Sequence, residues 1–183
     1  MIRDANPNDA KSIVPLILLA MGPLATKFAN SDDLQVQTDL FSQFVAAKDN
    51  QYSYQNILVE EENGNIAGMI MAYDGIKLQE LRKPFLDHIK QKNGFAGEPE
   101  DETQTGEYYI DCLAVLPQWQ GHSLGSKLIK AMCYKIKEEG HDTVGLLVSR
   151  PEAKRLYERL GFKVITEVTL LGVQHQHMQL RLS

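Results

Sequence analysis

The sequence predicts a single α/β (α+β) domain with a mixed sheet at its centre. Its 183 residues fit one domain. Its 43% hydrophobic and 23% charged residues are near the averages for soluble globular proteins, which excludes disordered and fibrous classes. Strand-like runs and amphipathic stretches follow each other in the order β-α-α-β-β-α-β-α-β-α-β-β. We therefore expect one domain over residues 1–183, with a helical and acidic-loop insertion at about 75–106.

The spacing of apolar residues predicts each element. Apolar residues three and four apart indicate helices, whereas alternating or continuous apolar runs indicate strands. The predicted strands are residues 2–4, 57–60, 66–73, 108–115, 143–148, 162–166 and 173–180. The predicted helices are residues 7–18, 31–45, 76–92, 124–139 and 151–160.

Turn residues separate these elements. Asn63-Gly64 suits the positive φ angles of a type I′ turn, so the second and third strands form an antiparallel hairpin. Pro15 lies inside the first helical stripe, and we expect it to kink that helix. Gly140 and Gly161 end the last two helices.

Charge and targeting signals limit the partners. The formal net charge is -5 and the sequence pI about 5.5, which disfavours nucleic acid because phosphate binding needs a basic face. Charged residues precede any apolar run long enough for a signal peptide, and no run approaches the ~18 residues of a membrane helix. We expect a cytoplasmic protein, monomeric or homodimeric, with no membrane partner.

The stretch from Leu113 to Ile129 carries the chemistry. A strand ends at Pro117, a polar turn with two glycines follows, and an amphipathic helix begins. Free backbone N–H groups and the positive end of the helix dipole meet in this turn, which favours an anion such as phosphate. The spacing matches neither G-x-x-x-x-G-K-[S/T] nor G-x-G-x-x-G, so an NTPase loop and a dinucleotide fingerprint are not supported.

The loop resembles the acyl-CoA loop of the GNAT superfamily of N-acetyltransferases. That pattern is Gln or Arg, two residues, Gly, one residue, then Gly or Ala. Gln120 fills its first position and Gly125 its last, while Ser123 replaces the usual middle glycine. Serine tolerates positive φ poorly, so a helical backbone at this position would cost least.

A second segment strengthens the resemblance. Residues 153–162 complete the family pattern A-x-x-L-Y-x-x-L-G-F, and Arg150 stands where the family often has Asn. The resemblance covers at least Tyr108 to Phe162. It implies a GNAT-like mixed, mostly antiparallel central sheet flanked by helices, with a splayed strand pair at the cofactor site.

The resemblance also implies the contacts to acetyl-CoA, the co-substrate, with no metal. Tyr157 would hydrogen-bond the CoA sulfur and protonate the departing thiolate. A backbone donor near Leu113 would stabilise the oxyanion. The implied cofactor-binding residues are Leu113, Ala114, Val115, Gln120, Gly121, His122, Ser123, Leu124, Gly125, Ser126, Ala153 and Tyr157.

Acidic residues are the candidate proton acceptors for the substrate ammonium. Asp111 interrupts an apolar strand, and Glu107 and Glu102 precede it. A salt bridge would explain Asp111 equally well. Residues 98–111 hold six carboxylates and no Lys or Arg, which favours a cationic acceptor. Strand alternation puts Cys112 on the opposite face from Asp111, which disfavours an acetyl-cysteine route.

Two histidines raise the question of a metal. His175 and His177 alternate on the last predicted strand and so share one side. A third ligand at usable spacing is missing, and a polar strand face explains the pair better.

The sequence thus predicts an acetyl-CoA-dependent N-acetyltransferase in which a primary amine attacks directly in a ternary complex. The alternative is a non-catalytic acyl-CoA-binding regulatory domain of the same fold. Ser123 and Arg150 leave this alternative open because they depart from the family pattern. Thiol release from acetyl-CoA with an amine would separate the two.

Overall fold

The computed structural model describes all 183 residues, which form a seven-stranded sheet with helices on both faces. The strands are β1 (Ile2–Asp4), β2 (Ile57–Glu62), β3 (Asn65–Asp74), β4 (Tyr108–Val115), β5 (Thr143–Val148), β6 (Lys163–Leu170) and β7 (Val173–Arg181). The helices are α1 (Ala10–Met21), α2 (Pro23–Ala29), α3 (Leu34–Ala46), α4 (Leu78–Lys92), α5 (Leu124–Glu138) and α6 (Pro151–Arg159). The predicted fold class is confirmed, with one additional helix, α2.

The sheet has the order β1-β2-β3-β4-β5-β7-β6. Every neighbouring pair is antiparallel except β4 and β5, which run parallel. The β2–β3 hairpin turns at Asn63 and Gly64, with φ of 52° and 78°, as the dipeptide predicts.

Two apolar clusters cover the two faces of the sheet. One joins α1, α2, α3 and α4 to β2, β3 and β4, and a group of edge-on aromatic rings around Phe85 holds its helices together. The other joins α5 and α6 to the opposite face. Strands β2 to β5 are therefore largely buried between two helical layers, whereas most of β6 is exposed.

The sequence predicts a kink at Pro15, but the sharp bend in this part of the chain lies seven residues later. Helix α1 continues through Pro15, whose ring is exposed. The chain turns instead at Gly22, where a φ of 54° ends the helix and the two helical segments on either side meet at 110°. Glycine reaches this positive φ without the clash that a Cβ causes, so the bend falls there.

No single helix is long and apolar enough to cross a membrane. The segments Pro7–Met21 and Pro23–Ala29 pass that test together, by length and composition only, as a bent pair.

Strands β4 and β5 pair over only three residues at their N-terminal ends. The partners are Tyr108 with Val144, Tyr109 with Gly145 and Ile110 with Leu146. Beyond Ile110 the two strands diverge, so the edge of β4 that faces β5 has no strand partner from residue 111 to 115. This is the splayed strand pair that the family resemblance implies.

Candidate active site

The loop before α5 presents unpaired backbone donors. Residues 121–126 donate no backbone N–H hydrogen bond within the protein, and Lys127 is the first of the helix to do so, to the Ser123 carbonyl. Gln120 ties the loop to the end of β4 through Nε2, which donates to the Val115 carbonyl at 3.0 Å. Several N–H groups and the positive end of a 15-residue helix thus converge on one exposed surface.

Ser123 holds a left-handed backbone conformation, with φ 61° and ψ 16°. Its side chain caps no helix N–H. The helical backbone that would cost serine least is therefore not observed, and the conformation costs roughly 1–2 kcal/mol for a residue with a Cβ. The loop keeps the turn that a glycine would make, at the expense of local strain.

Tyr157 lies on α6 beside the splay. Only 8% of its surface is exposed, and its ring packs edge-on against Phe162. Its hydroxyl makes no hydrogen bond to the protein, and it lines a cavity. Burial, with a smaller contribution from Cys112, raises the pKa of Tyr157, so the hydroxyl keeps its proton at neutral pH.

The cavity, of about 390 Å³, extends from the splay to the opposite face of the sheet. Its walls come from β4 and β5, from α1, α2 and α4, and from α6 and the β6–β7 turn. Apolar side chains make most of the lining. The ionisable residues other than tyrosine and cysteine are Lys27, Arg82, Glu102, Asp111, Arg150 and His175.

Glu102 and Asp111 form a carboxylate pair in this cavity. Both accept a hydrogen bond from Nε2 of Gln51, at 2.8 Å each. Tyr73 donates to Asp111 at 3.1 Å, and Tyr109 to Glu102 at 3.4 Å. Burial and the charge of Asp111 raise the pKa of Glu102 to about 8, and burial raises the pKa of Asp111. The pair therefore holds a proton near neutral pH and can accept another group's proton when it is ionised.

Gln51 is fixed by the segment around it. Its backbone N–H donates to the Leu81 carbonyl of α4 at 2.8 Å, and Asn56 Nδ2 donates to its carbonyl at 3.0 Å. Asn50 donates to the Phe44 carbonyl at the end of α3. The side chain of Gln51 thus reaches the carboxylates from a rigid turn.

The profile of the Acetyltransferase (GNAT) family matches residues 24–162, most of the chain. The chain belongs to the GNAT acetyltransferase family. It is accordingly an acyltransferase by family.

Solved structures agree with this assignment. A crystal structure of an acetyltransferase is 29% identical, with a TM-score of 0.83 and full coverage of both chains. An N-acetyltransferase from Staphylococcus aureus Mu50 is 22% identical, with a TM-score of 0.84, over 98% of this chain and 100% of that one. A GNAT acetyltransferase from Brucella melitensis in complex with acetyl-CoA is 22% identical, with a TM-score of 0.55, over 100% and 88%. No curated protein shows significant similarity to the sequence.

A β-bulge at Asp111 overturns the predicted alternation of the GNAT strand β4. Cys112 pairs with Met71 and Ile110 with Ala72, so Asp111 has no partner on β3. Ile110 therefore packs with α5 and α6, whereas Cys112 packs with α1. The bulge turns Asp111 into the cavity, as bulges beside active sites often do.

The predicted separation of Cys112 from Asp111 is consequently wrong. Both line the cavity, and the Cys112 sulfur lies 3.7 Å from Oδ1 of Asp111. Burial and the charges of Asp111 and Glu102 raise the pKa of the Cys112 thiol well above its usual value. The thiol stays protonated, so an acetyl-cysteine route is still disfavoured, although the reason is the raised pKa and not the strand alternation.

Glu107 does not reach the cavity, so the structure does not support the prediction that it accepts the substrate's proton. Its side chain accepts hydrogen bonds from Thr103 at 2.7 Å, His177 at 2.8 Å and Gln179 at 2.7 Å. Burial opposes its charge, but these donors outweigh burial and lower the pKa of Glu107. Glu107 and His177 instead connect the start of β4 to β7 across Gly145.

The other predicted cofactor contacts fall into two groups. Leu113, Ala153 and Tyr157 line the cavity, and Gly121 to Ser126 form the loop of free N–H groups. Ala114 and Val115 lie on the open edge of β4, where their side chains pack on opposite faces of the sheet. The ring Nδ1 of His122 bonds the Gln120 carbonyl at 3.0 Å, which stabilises the loop.

Most of the predicted acidic cluster does not line the cavity. Glu98 forms an ion pair with Lys90, Asp101 pairs with Arg82, and Glu100 accepts the Leu171 N–H. Only Glu102 and Asp111 of the six carboxylates line the cavity. No cluster of three or more His, Cys, Asp or Glu side chains has the arrangement of a metal site.

Proposed function

We propose that this protein transfers the acetyl group of acetyl-CoA to a primary amine by direct attack in a ternary complex. The observation that carries the proposal is the meeting of two sites at the β4–β5 splay. The loop of free N–H groups and Tyr157 approach the splay from the α5–α6 side. The Glu102–Asp111 pair approaches it from the cavity on the other side.

The residues fit acetyl-CoA. Free N–H groups at residues 121–126 would hold its phosphates, and the unpaired edge of β4 from residue 111 to 115 would bind its amide groups as a strand does. Acetyl-CoA supplies the activated thioester. A free backbone N–H of that edge near Leu113 would donate to the thioester oxygen as it gains charge.

The carboxylate pair and Tyr157 would move the protons. The ionised Glu102–Asp111 pair takes one proton from the substrate ammonium, which frees the nitrogen lone pair for attack. A C–N bond forms to the acetyl carbon and the C–S bond breaks. Tyr157 gives its hydroxyl proton to the departing sulfur and regains a proton that the new amide nitrogen releases through water. One proton leaves overall, and no oxidant or reductant is needed.

Thiol release in a panel of primary amines tests the proposal, with the acetylated product identified by mass. Gly125→Glu would place bulk and negative charge at the loop, so acetyl-CoA binding measured by calorimetry should be lost while the fold is retained. Tyr134→Glu makes a similar charge change on an α5 side chain that is 68% exposed, and it should bind as the wild type does.

Two results would overturn parts of the proposal. Unchanged acetyl-CoA affinity in the Gly125→Glu variant would contradict the loop assignment. Wild-type protein that binds acetyl-CoA but releases no thiol with any amine would be the non-catalytic acyl-CoA-binding domain that the sequence leaves open.

A further inference from the structure

The cavity is lined by charges of both signs, which differ in exposure. The Glu102–Asp111 pair belongs to the half-buried wall formed by β4 and the preceding loop. Lys27 and Arg150 are exposed residues that complete the lining, on α2 and at the start of α6. Neither cation forms an ion pair with any carboxylate of the protein. These two cations are therefore more exposed than the carboxylate pair and have no carboxylate partner in the protein.

Arg150 faces the side of the sheet that holds α1 and α2. Its Nη2 lies 3.7 Å from the position that a Cβ would take at Gly22, in the turn between these helices. The loop of free N–H groups belongs to α5, which covers the opposite face of the sheet. The guanidinium thus reaches the face of the sheet opposite to the loop that would hold the phosphates of acetyl-CoA.

Lys27 stands near the β6–β7 turn. Its Nζ donates to the Leu171 carbonyl at 3.2 Å, which leaves further N–H donors free. Arg82 and His175, the other nitrogen-bearing ionisable side chains of the cavity, already have partners. Arg82 binds Asp101 at 2.6 Å, and His175 Nδ1 contacts the Val173 carbonyl at 2.9 Å. Lys27 and Arg150 are the cations available to a ligand.

We propose that the acceptor is zwitterionic: a small amino acid whose amine meets the Glu102–Asp111 pair and whose carboxylate meets Arg150, with Lys27 beside it. This inference rests on the proposed function and narrows its substrate class. A guanidinium binds a carboxylate through two parallel N–H donors, so Arg150 suits this group better than a neutral one. An alkylamine or a diamine would leave both cations without a partner.

The test compares amines in matched pairs. Each amino acid is assayed against the alkylamine that has the same number of carbon atoms. The amino acids are glycine, β-alanine, 4-aminobutyrate and 5-aminopentanoate. We expect the best amino acid to exceed its matched alkylamine at least tenfold in kcat/KM. Arg150→Ala should reduce the kcat/KM for that amino acid about tenfold, the lower end for a charge-assisted hydrogen bond, and leave the alkylamine value unchanged.

Two further variants separate the loss of carboxylate binding from a general loss of activity. Arg150→Glu should reverse the preference, so that 1,4-diaminobutane becomes a better substrate than 4-aminobutyrate. Arg155→Ala is the control, because Arg155 lies on α6, which begins directly after Arg150, and its side chain is 64% exposed and does not line the cavity. It should leave all values unchanged.

Equal loss for amino acids and alkylamines in Arg150→Ala, or a raised KM for acetyl-CoA, would overturn the inference. Acetylation of alkylamines or diamines without preference for amino acids would overturn it while the N-acetyltransferase function stands. Absence of acetylation with every amine would instead contradict the proposed function itself.

Discussion

Replacing Asp111 with asparagine should lower the pH at which Glu102 ionises. The wild-type kcat/KM should rise with pH through about 8, because the pair must be ionised to accept the ammonium proton and the pKa of Glu102 is raised to about 8. Asparagine keeps an acceptor for Gln51 and Tyr73 but removes the neighbouring charge. The pH profile of the variant should therefore shift toward acid.

The geometry sets the size of the shift. Both carboxylates accept from the same nitrogen at 2.8 Å, so the two accepting oxygens lie at most about 5.6 Å apart, twice that bond length. At an effective dielectric constant of about 20, two charges at this distance repel by about 3 kcal/mol, or about two pKa units. The half-buried side chains face a cavity that admits solvent, which reduces the shift to about one unit. Burial remains the larger cause, so the pKa stays above its usual value.

The assay is thiol release at subsaturating amine between about pH 6 and 9, with the proton-accepting pKa taken from the profile. Asp111→Asn should show a midpoint near pH 7 and a lower plateau, since the remaining carboxylate is a weaker base. Glu98→Gln is the matched control, because that carboxylate pairs with Lys90 outside the cavity. A variant profile that superimposes on the wild-type profile would refute the coupling between the two carboxylates.

Three other substitutions test separate parts of the structure. Tyr157→Phe should lower kcat ten- to a thousandfold with little change in the KM for acetyl-CoA, because only the transition state uses the hydroxyl. Full kcat of the variant across the pH range would show that Tyr157 serves only in packing. Glu102 keeps its proton to about pH 8 when folded but to about 4.5 when unfolded, so wild-type stability falls as pH rises through that window. Glu102→Gln should therefore unfold at a higher temperature than wild type at pH 9 and not at pH 4; the same difference at both would contradict this. Gly145→Ala would put a Cβ 2.1 Å from Oε2 of Glu107 and should cost roughly 2–4 kcal/mol in urea unfolding, and an unchanged value would show that Glu107 moves aside freely.

The local pattern of apolar and turn residues in the sequence predicts most of the fold. Strands β4 and β5 have the predicted bounds, and α5 ends one residue before the predicted end. These elements carry long apolar periodicities bounded by Gly and Pro. Helix α2 was missed because its seven residues are too few to show a periodicity, and its position depends on packing against α3.

The site was harder to predict, because its geometry depends on pairing between distant segments. The bulge at Asp111 arises from the register of β4 on β3, which no local pattern in β4 records. Gln51 lies 60 residues from Asp111 along the chain, in a stretch that indicates only a polar turn. Glu107 was misassigned because its three partners come from a loop and from β7. The two family motifs, by contrast, are contiguous, and they alone indicated the family.

Because β4 and β5 pair over only three residues, few backbone hydrogen bonds connect the two parts of the sheet. Four strands lie on one side of this seam and three on the other, and three residue pairs join them along the backbone. Side-chain hydrogen bonds from His177 and Gln179 to Glu107 also join the two parts, but only at the end where β4 and β5 pair. A ligand that hydrogen-bonds to the open edge of β4 while it packs against β5 would act as an eighth, removable strand. Its binding would slow hydrogen exchange of the backbone amides in the strands on both sides of the seam. The bound substrate would then be part of the sheet in which it reacts.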